Sequence, residues 1–179
     1  MTYSFDTFCE DCRTALKAAD NADSHERVRR NLEKLAVDPD FVAAYCGDDA
    51  EPDIRTIYRD EETGFNVLVH IYEAGKQGPP HDHGTSWAVY AQVKEHTDMT
   101  FWRRTDQDGG EGAATLEQMH VLHLEPGMAG KLEPGDIHSI AFPDGARFVR
   151  VTGTDLDKIE TLQFDPDAGT AKVGDRLRR

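Results

Sequence analysis

Two histidines separated by a single residue are the feature of this sequence best suited to chemistry. His81 and His83 lie in the stretch GKQGPPHDHGTSWAVY, which runs from Gly75 to Tyr90. On a β-strand, side chains two residues apart point to the same face, so the two imidazoles would project together and Asp82 would point away. Imidazole is the commonest transition-metal ligand, so the pair predicts part of a metal site. The alternative is a pair of solvated loop histidines.

A metal site needs at least one more ligand. The other histidines of the chain are His25, His70, His96, His120, His123 and His138. His25 lies in a helical region, and a strand histidine such as His70 is more often a core or edge residue than a ligand. His120 and His123 are three residues apart and would face opposite sides of a strand. His138 is distinguished by its context, GMAGKLEPGDIHSIAF.

Both histidine stretches resemble the motifs of the cupins. The first cupin motif has a glycine, five residues and His-x-His, and the second has a glycine, a proline, a glycine and a histidine at fixed spacing, the proline position being Glu133 here. The matching residues are Gly75, His81 and His83 in the first motif and Gly127, Gly135 and His138 in the second. The resemblance implies an all-β core, a cupin (jelly-roll, double-stranded β-helix) barrel with N-terminal α-helices packed outside it. It also implies a metal held by His81, His83 and His138.

One departure from the cupin pattern points to a branch of the family. The position of the usual glutamate ligand holds Ala88, which leaves three histidines and no carboxylate. Loss of that glutamate is typical of thiol dioxygenases that resemble cysteine dioxygenase. In that family an arginine strand precedes a Phe-Asn strand and a His-Asp-His, as Arg55, Phe65 and Asn66 precede His81 here. The chain also resembles uncharacterised bacterial metal-dependent cupins.

The branch resemblance implies an activity. It would be a non-haem iron-dependent dioxygenase that uses O₂ and Fe(II) to oxidise a small thiol to a sulfinic acid. The substrate would be a thiol carboxylic acid such as cysteine or 3-mercaptopropionate. Nickel, zinc and manganese are the alternative metals. The alternative functions are a cupin of other activity (isomerase, lyase or other oxygenase), a non-catalytic metal-dependent sensor, or a structural cupin without metal.

Four further residues have predicted roles in this site. If IRTIYR is a strand, Arg55 and Ile57 share one face, and we predict that this face points inward, where a substrate carboxylate would pair with Arg55. The alternative is a surface ion pair of Arg55. Tyr72 or Tyr90 would stand in for the tyrosine of the family's late Ser-x-His-x-Tyr run, which this chain lacks. Trp87 would line the pocket beside the metal, the alternative being a plain core tryptophan.

The rest of the chain predicts the elements that position these residues. Residues 1–50 predict a helical segment, in which Asp38 is a plausible N-cap before Pro39. Cys9 and Cys12 lie on an apolar helix face and are predicted to be buried structural thiols. Residues 51–165 predict the cupin barrel, built from short strands separated by turns that include EPGMAGKLEPG. Residues 166–179 predict a polar C-terminal tail, the whole forming one structural domain.

Composition excludes some partners. The chain has 34 acidic and 20 basic residues and a formal net charge of −14, which disfavours binding to nucleic acid or an anionic membrane. No apolar run is long enough to span a bilayer, and the acidic start MTYSFDTFCED does not resemble a signal peptide. The expected compartment is the cytoplasm, and the expected partners are a small-molecule thiol substrate and O₂.

Overall fold

The computed structural model describes residues 3–106 and 109–174. Within them the three α-helices are α1 Phe5–Ala18, α2 Ala22–Ala36 and α3 Pro39–Tyr45. The strands are β1 Asp53–Arg59, β2 Asn66–Ile71, β3 Lys76–Gln77, β4 Ala88–Lys94, β5 Thr97–Arg104, β6 Gly112–Ala113, β7 Leu116–Leu124, β8 Ala129–Leu132, β9 Ile137–Phe142, β10 Arg147–Thr152, β11 Leu162–Asp165 and β12 Thr170–Val173. A short 3-10 turn spans Leu156–Lys158.

Each helix begins at a side chain that caps its free N–H groups. Ser4 accepts from the N–H of Thr7, and Asn21 forms a reciprocal capping box at the start of α2. Asp38 accepts from the N–H of Phe41 at 3.0 Å, with Pro39 at the first helical position, as the sequence predicts. Local chemistry therefore fixes where the three helices begin.

The strands form two main antiparallel sheets. One has five strands in the order β1-β2-β10-β4-β8, and the other has four in the order β3-β9-β5-β7. A small third sheet has the order β11-β12-β6. Apart from the β1–β2 hairpin, neighbouring strands in the five-stranded sheet come from distant parts of the chain, as in a jelly roll. The predicted all-β core with helices packed outside is confirmed.

The five-stranded sheet is buried on both faces. Val67, Val69 and Val149 belong to the core shared with α1 and α2, so their face lies against the helices. Their neighbours along the strands point the other way, where Tyr90 and Phe148 pack in a second core cluster inside the barrel. Because β-strand side chains alternate, each strand of this sheet serves both a helix-facing core and an interior one.

Two predicted loop segments are strands. The stretch EPGMAGKLEPG contains β8, which pairs with β4 and buries Leu132. The predicted polar tail begins with a turn that leads into β12, which pairs with β11 and buries Ala171 beside Phe164. Residues 170–173 of the predicted tail therefore form a strand that pairs with both β11 and β6. Residues 175–179 lie outside the described residues.

The three cysteines are free and buried. Burial raises the pKa of Cys9 to about 12 and that of Cys46 to about 11, so both remain thiols at neutral pH. Cys12 has a raised pKa for the same reason. The predicted burial of Cys9 and Cys12 is confirmed. Among the described helices, none combines the length and the apolar character needed to cross a membrane.

Candidate metal centre

The backbone brings the two histidine stretches together directly. His81 donates its N–H to the carbonyl of His138 at 2.8 Å, and His138 returns its own N–H to the carbonyl of His81 at 2.9 Å. The N–H of Gly135 also reaches the carbonyl of Gly84 at 3.1 Å. His81 forms an isolated bridge and not a continuous strand. The predicted convergence of the two motifs thus rests on three backbone hydrogen bonds.

A tight turn holds His83 in place. Gly84 has a φ of 55°, and a Cβ atom there would lie 2.2 Å from the carbonyl oxygen of Glu160, so only glycine fits. The Asp82 carboxylate accepts from the N–H of Gly84 at 3.0 Å and of Leu162 at 2.8 Å. Asp82 therefore points away from the histidines, as its position between them predicts, and fastens the turn to β11.

The three imidazoles converge with the spacing that a metal needs. One ring nitrogen from each of His81, His83 and His138 lies within 4.8 Å of the others. The Nε2 atoms of His83 and His138 are 3.4 Å apart. Two nitrogens that each lie ~2.1 Å from one metal at a tetrahedral angle are about 3.4 Å apart. The distance between His83 and His138 therefore fits a shared divalent transition metal, and His81 lies close enough to be the third ligand.

Burial keeps His138 neutral, which is the form that binds a metal cation. His138 is fully buried, and burial lowers its pKa well below the usual histidine range, with the charges of His81 and Arg150 acting in the same direction. A neutral imidazole offers its lone pair to a metal. The Nδ1 of His81 lies 3.1 Å from the carbonyl of Pro79, to which it can donate, leaving its Nε2 for the metal.

A cavity of about 160 Å³ reaches the histidine cluster at His81 and Tyr90. Most of its wall is apolar, with side chains that include Ile54, Ile140, Phe142 and Phe148. Cavities of ~150 Å³ accept molecules the size of benzene. The space therefore suits a small molecule held beside the histidines.

Both tyrosines predicted for the site line this cavity. The hydroxyl of Tyr90 lies 3.3 Å from Nε2 of His83, which puts it next to the metal position. The hydroxyl of Tyr72 lies 3.4 Å from Nδ1 of His70. Burial raises the pKa of Tyr72, although the nearby Arg150 opposes the shift, so its phenol is protonated at neutral pH.

Arg55 lies on the opposite side of the sheet from the cavity. Arg55 is opposite Val69 in the β1–β2 register, and Val69 belongs to the helix-facing core. Its guanidinium donates to the carbonyl of Tyr45 at the end of α3, at 3.1 Å. The predicted inward orientation is therefore wrong. Arg55 and Ile54 do face opposite sides, but the inward side carries Ile54 and not Arg55, and a bulge after Thr56 interrupts the alternation further along the strand.

Trp87 also packs toward the helices. Its ring stacks on His25 of α2 with centroids 4.8 Å apart, and it belongs to the helix-facing core. The prediction that Trp87 lines the pocket required an unbroken strand from His83, but a turn intervenes and β4 begins only at Ala88. Trp87 is thus a core tryptophan, which was the alternative. His25 holds this contact by hydrogen bonds to Asp20 at 2.7 Å and Glu133 at 2.6 Å.

Sequence reasoning missed Arg150 as a site residue. It lies in the middle of β10, opposite Tyr90 on β4, is 6 % exposed and lines the cavity. His70, taken for a core histidine, is buried and also lines the cavity. The sequence signal for it was an arginine flanked by valines in RFVRVT. Burying an arginine in such an apolar strand costs free energy unless a partner or a ligand offsets the cost.

Comparison with known proteins gives remote structural likenesses only. No family model matches the chain, and no curated protein matches its sequence. A Klebsiella pneumoniae conserved protein with a double-stranded β-helix domain is 19% identical, covering 59% of this chain and 74% of its own, with a TM-score of 0.40. The cupin domain of Schizosaccharomyces pombe Cnp3 is 12% identical, covering 60% and 70%, with a TM-score of 0.44.

A cupin superfamily protein from Desulfitobacterium hafniense is similar to the same degree. It is 13% identical, covers 62% of this chain and 87% of its own, and has a TM-score of 0.42. Likenesses at this level assign no activity to the chain. The fold itself rests on the strand order and pairing described above.

Proposed function

We propose that the protein is a non-haem iron-dependent thiol dioxygenase, which converts a small thiol and O₂ into a sulfinic acid. Sulfur is oxidised and both oxygen atoms of O₂ enter the product, so that RSH + O₂ gives RSO₂H. The observation that carries the proposal is a cluster of three histidines without a carboxylate, one of which, His81, lines a cavity for a small molecule.

The donor set favours a thiol substrate. Three neutral imidazoles add no negative charge, so an Fe(II) held there would keep its full attraction for a thiolate and would leave positions for substrate and O₂. A carboxylate ligand would have cancelled part of that charge. The residues that would hold the metal are His81, His83 and His138, all three from the cupin-like motifs.

Other residues of the cavity position the reactants. The Tyr90 hydroxyl, 3.3 Å from His83, is placed to donate a hydrogen bond to a group bound beside the histidines. The aromatic wall formed by Phe142 and Phe148 keeps bulk water from the reacting atoms. Tyr72 and His70 lie along the same cavity, where they can orient the substrate.

Oxygen consumption tests the activity. Purified protein is loaded anaerobically with Fe(II), mixed with a panel of small thiols and exposed to O₂. We expect thiol-dependent uptake of O₂ with one sulfinic acid formed per O₂ consumed, identified by mass spectrometry. A Tyr90→Phe variant is expected to bind iron normally but to turn over ~10–100-fold more slowly, because one hydrogen-bond donor at the reacting groups is lost.

The matched control for Tyr90→Phe is Tyr3→Phe, which removes a hydroxyl that bonds to Asp11 far from the cavity. Absence of O₂ uptake with every thiol would refute the dioxygenase. Retention of zinc or nickel by the purified protein, together with failure to take up iron, would instead favour a cupin of other activity or a metal-dependent sensor.

A further inference from the structure

One cation in the barrel interior has no acidic counterpart within residues 3–106 and 109–174. Arg150 is 6 % exposed, and its buried Nε has no hydrogen-bond partner among the described residues. A buried arginine left without an anion is costly, so proteins keep one only where something offsets the cost. The cavity that Arg150 lines is the place where a ligand could supply that anion.

The cavity is lined by positively charged side chains, although the protein as a whole is negatively charged. The whole chain carries a formal net charge of −14. Yet the described lining residues include two cations, Arg150 and Lys76, and no aspartate or glutamate. Arg150 is buried, whereas Lys76 is exposed on β3. A cavity with this lining attracts small anions and disfavours amines.

The strand register places Arg150 beside Tyr90, on the inner face of the sheet. Arg150 pairs with Tyr90 on β4 and with Leu68 on β2, so its side chain points into the barrel. Tyr90 in turn packs against His138, with ring centroids 5.5 Å apart. Arg150 and His81 both line the 160 Å³ cavity, so a ligand there can contact Arg150 and His81 together.

We propose that Arg150 binds the carboxylate of a small aliphatic acid in this cavity, the role that sequence reasoning gave to Arg55. The planar guanidinium matches the two oxygens of a carboxylate, and the apolar wall around it suits a short aliphatic chain. The proposal rests on the proposed function in one respect: the acid would be the thiol substrate, held by its carboxylate while its sulfur reaches the histidines.

Binding of propionate, which has a carboxylate and no thiol, tests the proposal. Calorimetric titration is done on the protein as purified and again after chelation, so that direct coordination to a metal cannot imitate the result. We expect propionate to bind wild type and propionamide to bind ~10-fold or more weakly. Arg150→Gln should weaken propionate binding by ~10–100-fold in both preparations. Arg150→Lys should fall between the two.

Two controls separate recognition from folding. Arg55→Gln removes an arginine of the same sheet that faces the helices, and it should leave propionate binding unchanged. The melting temperature of Arg150→Gln should equal or exceed that of wild type, because a buried cation without an anion is removed. Propionate should raise the melting temperature of wild type and not of Arg150→Gln.

Three results would overturn the proposal: no propionate binding by wild type, equal binding by Arg150→Gln, or equal binding of propionamide. None of these measurements involves a thiol or O₂. If propionate does not bind through Arg150, the proposed thiol oxidation is still tested separately by O₂ uptake. If no thiol is oxidised, the propionate measurements still test the carboxylate site.

Discussion

Replacing His138 by alanine is expected to abolish binding of a divalent metal. His138 supplies one of three converging nitrogens, and the remaining pair, His81 and His83, cannot complete a site. Loss of residues that only support a ligand weakens metal affinity ~10–100-fold, so loss of a ligand should exceed ~100-fold. Metal content after loading with Fe(II) or zinc and desalting measures the effect.

His70→Ala is the matched control for this substitution. His70 is a buried histidine that lines the same cavity, but it is not in the converging group. We expect His70→Ala to retain about one metal per chain, and His83→Ala to lose it as His138→Ala does. Circular dichroism verifies that each variant folds. Full metal content in a folded His138→Ala protein would show that the metal, if any, lies elsewhere.

Gly84→Ala should destabilise the protein by ~3 kcal/mol or more. The residue has a φ of 55°, and an added Cβ would meet the carbonyl oxygen of Glu160 at 2.2 Å. Left-handed backbone alone costs ~1–3 kcal/mol outside glycine, and the contact with backbone adds to it. Because Gly84 directly follows His83, metal affinity should fall in parallel. Urea denaturation of the metal-free protein measures the change.

Gly110→Ala provides the comparison for Gly84→Ala. A Cβ atom at Gly110 meets nothing within 4 Å, and its φ lies outside the left-handed region. Its substitution should change stability by less than ~0.5 kcal/mol, as is usual at the surface. A Gly84→Ala protein as stable as Gly110→Ala would mean that the turn after His83 differs from the one described.

The sequence contained enough to predict the three histidines. They were predictable because both histidine stretches resemble cupin motifs, whereas the contact between the stretches is made by backbone hydrogen bonds between distant parts of the chain. Which face of β1 points into the barrel was harder to predict. The alternation in IRTIYR shows that Arg55 and Ile57 share a side, but helices cover the outside of this sheet and both faces are apolar.

Only the pairing of β1 with β2 settles which side is inward. Ile54 is opposite His70, which lines the cavity, whereas Arg55 is opposite Val69 beneath the helices. The β1–β2 hairpin is local, but which of its two faces the helices cover depends on contacts with distant parts of the chain, and the strand sequence alone does not show it. Arg150 was missed for a related reason: β10 lies between β2 and β4, which come from distant parts of the chain, and its pairing with both decides that Arg150 points inward.

Two other predictions, for Trp87 and for the segment that contains β8, differ from the structure because turns interrupt apolar stretches. Trp87 follows the turn at Gly84, which breaks the periodicity on which the pocket prediction depended. Similarly, β8 has only four residues between two glycine-containing turns, and its strand character comes from pairing with β4. Segments this short take their structure from tertiary contacts more than from their own sequence.

X-ray absorption spectroscopy of the iron-loaded protein tests the central claim most directly, because scattering from imidazole rings counts the histidines bound to the metal. The three-histidine site predicts three imidazoles per iron at distances on the order of 2.1 Å, contributed by His81, His83 and His138. Two or fewer imidazoles, or a sulfur ligand in the absence of added thiol, would contradict it.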